Sequence, residues 1–312
     1  MNQKERLFFD SFASIEWKTL MLVVGCYGLW IAAGIGWSFS YGWLCLPVLA
    51  VLSAFQTSLQ HETIHGHPTR WNWLNELLVS VPLAVVFPYR RYRDLHLAHH
   101  NDANLTDPYE DPESYFWPLS TFNRMRPFVK RVFAFNNTLV GRLLVGPLLS
   151  VIGFGRTEFH RLLVGEPGVR MSWLLHVPGL IVLAFIVTQI FAMPFWMYCL
   201  FVVYPAMSLI SLRSYAEHQA AENVGGRSAV VESCPSLALL YLNNNLHIVH
   251  HASPQTPWYE LPALYQERRD QYLAANGHLL FNGYSEIFRR FAFTVKQPVD
   301  HPYMYRQNSH TE

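Results

Sequence analysis

Two long stretches of the chain carry no charged side chain. From Thr19 to Gln60, and again from Met171 to Leu212, there is no Asp, Glu, Lys or Arg. An α-helix needs roughly 20 residues to cross a 30 Å hydrocarbon core, and each stretch is about twice that. Each therefore predicts a hairpin of two membrane-spanning helices, at 19–37 with 41–60 and at 172–191 with 194–212. The turns fall at Trp37–Tyr41 (WSFSY) and Phe191–Phe195 (FAMPF), aromatic segments of the kind found at a membrane interface. The expected fold is all-α: a single membrane domain over 1–312, four transmembrane helices in two hairpins, and a helical cytoplasmic cap.

Other segments alternate less regularly. Leu74–Phe87 (LNELLVSVPLAVVF) is apolar but too short to span and contains Glu76, which predicts a re-entrant or interfacial helix. Leu139–Phe154, with Arg142 and Pro147, reads the same way. Residues 101–118 (NDANLTDPYEDPESYFWP) are acidic and proline-rich, as a loop should be. Trp258–Ala275 has the pattern of an amphipathic helix that Asn276 and Gly277 would end. Tyr284, Ile287, Phe288 and Phe291 recur at helical spacing, and the tail after Pro298 is expected to be loosely ordered.

Composition sharpens the picture. The 312 residues are 51% hydrophobic and only 14% charged, well below the roughly 25% charged residues usual in soluble domains. A formal net charge of +1 gives no electrostatic footprint for nucleic acid. Lys and Arg number three in residues 1–18, twelve in 61–170 and eight in 213–312, with none in the hairpin turns. By the positive-inside rule both termini and the middle loop are cytoplasmic. Asp10 and Glu16 precede the first apolar run, which therefore reads as an anchor and not as a cleaved leader. The four cysteines form no C-x-x-C pair and support no disulfide framework.

The chemistry lies in the fifteen histidines. Three clusters stand out: His61, His65 and His67 (HETIHGH), His96, His99 and His100 (HLAHH), and His247, His250 and His251 (HIVHH). At this histidine content H-x-x-H-H is expected about 0.03 times by chance, so two copies point to a shared purpose. Positions i, i+3 and i+4 share one helix face, so each cluster can aim two or three imidazoles at one point. Neutral imidazole is the commonest metal ligand. His218, just beyond the fourth span, is a further candidate. Nine imidazoles (His61, His65, His96, His99, His100, His218, His247, His250, His251) would give four or five nitrogens to each of two metals. His67 leaves the shared face, and His160, His176, His278, His301 and His310 read as surface or capping residues. Imidazole alone suits zinc, copper, iron or nickel.

The order HETIHG, HLAHH, HIVHH around two hairpins strongly resembles the membrane-bound fatty acid desaturase and hydroxylase family, over roughly residues 20–290. The resemblance implies two non-haem irons on the cytoplasmic face, O2 as co-substrate, and attack on an unactivated C–H bond. It makes His61 and His65 the first box, His96, His99 and His100 the second, His247, His250 and His251 the third, and His218 the isolated extra ligand. A narrower resemblance links HETIHGHP and SYAEHQAAENVGGRSAVVES to a bacterial branch with dihydrorhizobitoxine desaturase, rhizopine-associated hydrocarbon oxygenase and ornithine-lipid hydroxylases. Some relatives hold a metal-bound water with an Asn four residues before the isolated histidine. Here that position is Ser214, and Asn243 is either its substitute or a helix cap.

Glu62, Asp94, Asp107 and Glu217 are candidate acceptors for imidazole N–H, or else ordinary solvated carboxylates. No G-x-G-x-x-G follows a strand, so electrons must come from a separate protein, which the resemblance identifies as a ferredoxin or a cytochrome b5-like donor. Arg90, Arg91 and Arg93 are a candidate docking patch for that donor, or a lipid-phosphate or topology signal. The expected substrate is a membrane lipid or another amphiphile. A haem carrier or a metal transporter would place ligands inside the spans, which contain only His176. A zinc hydrolase would use the same histidines without consuming O2.

Overall fold

The structure, a computed structural model, describes residues 15–39, 42–101 and 104–303. Four helices are long and apolar enough to cross a membrane: α1 (Trp17–Trp37), α2 (Gly42–Ile64), Val169–Ile190 and Phe195–Glu217. All four expected spans are present, and the second and fourth continue beyond their apolar cores. The extra turns matter, because they carry His61 and lead directly into His65 and His218. The WSFSY turn includes residues outside those described, whereas FAMPF forms the second turn as expected, between Ile190 and Phe195.

Contacts divide the chain into two units. The first comprises the residues up to Arg93, Val151–Ile210 and Leu240–Leu242. Its core is built by Trp30, Leu46, Leu49, Leu83, Phe191, Tyr198 and their neighbours. Trp30 and Phe191 pack at a ring-centroid distance of 4.8 Å, and Trp30 Nε1 donates to Tyr198 Oη at 3.2 Å. Gly34 is needed there, since a Cβ on it would lie 2.0 Å from the Phe191 ring. Large apolar side chains such as Met21, Val24, Leu29, Leu174 and Ile181 are exposed on the spans, as a lipid-facing surface requires.

The segment expected to form one helix over 74–87 does something else. Only α3 (Asn72–Leu78) is helical, and the chain then runs irregularly to Pro88. Pro82 and the β-branched valines disfavour a helix, and side chains from the spans satisfy the freed carbonyls. Gln56 and Gln60 donate to Val79 O at 3.3 Å each, Tyr27 Oη to Val81 O at 2.8 Å, Tyr198 Oη to Leu83 O at 2.9 Å, and His176 Nε2 to Val85 O at 2.8 Å. Non-helical backbone is tolerated beside membrane helices only when it is satisfied in this way.

The second unit comprises Asp94–Ser150, Ser211–Leu239 and the chain from Asn243 onward. It is built from short pieces: helix His247–Ala252, helix Leu261–Glu267, helix Arg269–Ala275, helix Tyr284–Phe291, and two parallel two-residue strands that pair Val230 with Leu280 and Val231 with Phe281. Val230, Leu246, Val249, Leu261, Tyr265 and Leu273 form its core. The amphipathic helix expected over 258–275 is broken at Arg268, and it ends where expected, with Gly277 at φ 63°. Leu139–Phe154 is likewise split, into Leu139–Leu144 and Gly146–Val164. The tail after Pro298 is not loose as far as it is described: Val299 and His301 are buried, and Trp117 bridges to Asp300 in parallel.

Candidate metal centre

Helix Tyr89–Asn101 carries His96, His99 and His100, and helix His247–Ala252 carries the third box. The i, i+3, i+4 spacing turns these rings to one side of each helix, as the sequence expects. His218 follows the last residue of the fourth span and is fixed by an antiparallel bridge to Ser228. Within the second unit, His99, His218, His247 and His251 each offer a nitrogen, all within 4.8 Å of one another. His96, His100 and His250 do the same as a separate set, with His250 Nε2 and His100 Nε2 at 3.1 Å. In the first unit, His61 and His65 at the end of α2 pair at a ring-centroid distance of 5.0 Å.

The tautomers are set from behind. His99 Nδ1 donates to Asp111 Oδ1 at 2.8 Å, His96 Nδ1 to Glu113 Oε1 at 2.8 Å, and His218 Nδ1 to Arg227 O at 3.2 Å. His247 Nδ1 faces Asn244 Oδ1 at 3.2 Å and Glu217 Oε1 at 3.5 Å, both acceptors. A proton held on Nδ1 leaves the Nε2 lone pair bare. Yet His218 Nε2 lies 3.0 Å from His99 Nε2 and 2.9 Å from His247 Nε2, and His247 Nε2 lies 3.1 Å from His251 Nε2. The His247–His251 contact can be bridged by a proton on the His251 ring, and the His99–His218 contact only by a second proton on His99. The His218–His247 contact cannot, because both rings already give their protons to oxygen acceptors. Facing lone pairs at that distance repel unless a cation lies among them, so the donor set fits a metal ion. The second shell of acceptors that orients ligating imidazoles is also present.

Charge is unevenly distributed over the four rings. Burial opposes a charge on His99, but the hydrogen bond to Asp111 with the charges of Glu113 and Asp111 outweighs it and raises its pKa to about 9. Burial and then neighbouring imidazoles push His218, His247 and His251 below the usual histidine range, which keeps them neutral as ligands must be.

Several expected site residues are placed elsewhere. Asn243, the candidate for a water-mediated role, donates its Nδ2 to Trp258 O at 2.8 Å and has a left-handed backbone (φ 57°); its neighbour Asn244 supports His247 instead. Asp107 accepts from Tyr109 N at 2.7 Å and so shapes its own turn, and Asp94 is exposed. Glu217 does act as an acceptor, bound by Arg213 Nε at 2.8 Å and Asn244 Nδ2 at 2.9 Å beside His247. Glu62 lies 3.9 Å from His67 Nε2, and His67 Nδ1 pairs with Glu16 Oε1 at 2.5 Å. Arg91 cannot serve in a docking patch: it is buried and forms a two-pronged pair with Glu158 at 2.9 and 3.0 Å. Arg90 pairs with Glu76 at 2.7 Å. Sequence reasoning missed Asp111 and Glu113, which lie in the acidic loop just after the second box. The signal was that loop's carboxylates, which the buried Nδ1 atoms of the preceding helix require. His301, read as a surface residue, is buried against Thr106 Oγ1 at 3.1 Å.

Comparison with known proteins agrees with this geometry. Residues 37–282 match the model of the fatty acid desaturase family. The sn-1 oleoyl-lipid 12-desaturase of Synechocystis sp. is 23% identical over 282 residues, which cover 81% of this chain and 75% of that protein. With four spans, a cluster of facing imidazoles and a family match over most of its length, the chain belongs to the fatty acid desaturase family.

Proposed function

We propose that this oxidoreductase is an O2-dependent di-iron enzyme that desaturates a fatty acyl chain or a related lipid. The single observation that carries the metal reading is the His218–His247 contact, two bare Nε2 atoms 2.9 Å apart. His99, His218, His247 and His251 form one ligand set, and His96, His100 and His250 belong to another, to which the resemblance of the histidine boxes assigns His61 and His65. All-imidazole sites suit iron as well as zinc and copper, and the family match favours iron. Bound iron supplies the activation of O2 and the oxidising power for hydrogen removal.

The protein's own groups do the rest. Asp111, Glu113, Asn244 and Arg227 O hold the Nδ1 protons and so fix ring orientation. His99, His247 and His250 are almost entirely buried, which excludes bulk water from the oxidant. Overall, R–CH2–CH2–R′, O2, two electrons and two protons give R–CH=CH–R′ and two waters. A separate reductant, a ferredoxin or cytochrome b5-like protein, provides the electrons. The membrane is a bacterial inner membrane in this reading, and Lys and Arg placement favours the histidines and both termini on its cytoplasmic side.

Mass spectrometry of lipids from a bacterial host, comparing wild type with His250→Ala, tests the reading. A wild-type-only product lighter by two hydrogens establishes a desaturase. A product heavier by one oxygen replaces it with a hydroxylase, and a change on a small amine replaces the lipid substrate. Identical profiles with an active reductant present sink the proposal.

A further inference from the structure

The segment 296–301 lies beyond the stretch that matches the family, 37–282, yet it reaches toward two of the tetrad histidines. Its backbone is firmly held. Lys296 N donates to Asn137 O at 3.0 Å, Asn137 Nδ2 to Gln297 O and Pro298 O at 3.1 and 3.2 Å, Trp117 N to Val299 O at 2.9 Å, and His301 N to Trp117 O at 3.2 Å.

From this backbone the side chains work in two directions. Lys296 Nζ donates to Tyr215 O at 2.6 Å and His218 O at 2.9 Å. These carbonyls lie at the end of the helix that closes at Glu217, where backbone acceptors lack helical partners. Gln297 accepts from Ala220 N at 2.7 Å and donates to Ala220 O at 3.1 Å, fixing the chain on the far side of His218. At the other end, His301 Nε2 bonds Thr106 Oγ1 at 3.1 Å. Thr106 N donates to Asp111 Oδ2 at 2.7 Å, and Asp111 Oδ1 holds His99 Nδ1 at 2.8 Å. His99 and His218, whose Nε2 atoms are 3.0 Å apart, are thus both tied through short hydrogen-bond chains to one six-residue strap.

We propose that residues 296–301 form a positioning strap that sets the separation of His99 and His218 and so the tightness with which the tetrad holds its metal. This rests on the metal reading above. Lys296 and His301 act through the ligands and touch neither metal nor substrate.

The test uses the full chain in lipid nanodiscs loaded with ferrous iron, measuring iron per chain, the rate of release to a chelator, and thermal unfolding. Lys296→Met and His301→Ala should each release iron on the order of 10-fold faster or more, the usual scale for disturbing ligand support. Lys296→Arg, which keeps hydrogen-bond donors at the end of a long side chain, should stay within about threefold of wild type. A strap that merely stabilises the fold would lower the unfolding temperature and leave the release rate unchanged, and that result in both variants overturns the proposal. Should Lys296→Met not insert, Gln297→Ala replaces it and is judged by the same rate. A wild-type chain that takes up no iron overturns the metal reading itself, and this is seen before any variant is compared.

Discussion

The two units use buried polar side chains for opposite ends. In the first, Gln56, Gln60, Tyr27, Tyr198 and His176 donate to the carbonyls of an irregular segment, so that backbone can lie beside apolar spans. In the second, carboxylates, an amide and a carbonyl accept from imidazoles, so that ring nitrogens point at one another. One arrangement removes unsatisfied polarity, and the other concentrates it until a cation is needed. Changes in the first unit should therefore alter stability, and changes in the second should alter metal affinity.

The strongest way to break this contrast is His247→Ala. It should lower iron content and turnover by more than 100-fold while membrane insertion is unchanged, as read by metal analysis and lipid mass spectrometry; full iron in the variant would end the tetrad assignment. Next, Arg91→Met leaves Glu158 buried without its guanidinium and should cost about 3–5 kcal/mol in unfolding experiments. Adding Glu158→Met should recover most of that loss, and iron affinity should not move with either change. Asp111→Asn sharpens the other side: about 10–100-fold weaker iron binding, with a much smaller change in stability. Gly34→Ala forces a Cβ against the Phe191 ring and should destabilise by about 1–3 kcal/mol with unaltered iron affinity. Smallest of all, Ile181→Leu on the lipid-facing surface should stay within about 0.5 kcal/mol.

The same contrast explains what could be read from the sequence. Spans were legible because hydropathy over twenty residues is a local, additive signal, and all four appear within a few residues of their expected bounds. The histidine boxes were legible because i, i+3, i+4 spacing acts within a single helical turn. Asp111 and Glu113 were not, since an acidic Pro-rich loop looks the same whether its carboxylates meet water or imidazole. Asn244 in place of Asn243 turned on a one-residue difference in backbone conformation that three consecutive asparagines conceal. Arg91 resembled its exposed neighbours until Glu158, 67 residues away, was seen to pair with it. Leu74–Phe87 failed as a helix for a similar reason, because the partners of its carbonyls come from distant spans.

The strap at 296–301 also sets an order of events during synthesis. Every histidine of the tetrad leaves the ribosome before the strap that braces two of them. The roughly fifty residues from His251 to His301 take about 3–10 s at ordinary elongation rates of 5–20 residues per second. For that interval the nascent chain carries its metal-binding nitrogens without Lys296 on the Tyr215 and His218 carbonyls or His301 on Thr106. Metal capture and membrane insertion can thus begin on a looser frame, and this later-made segment closes it.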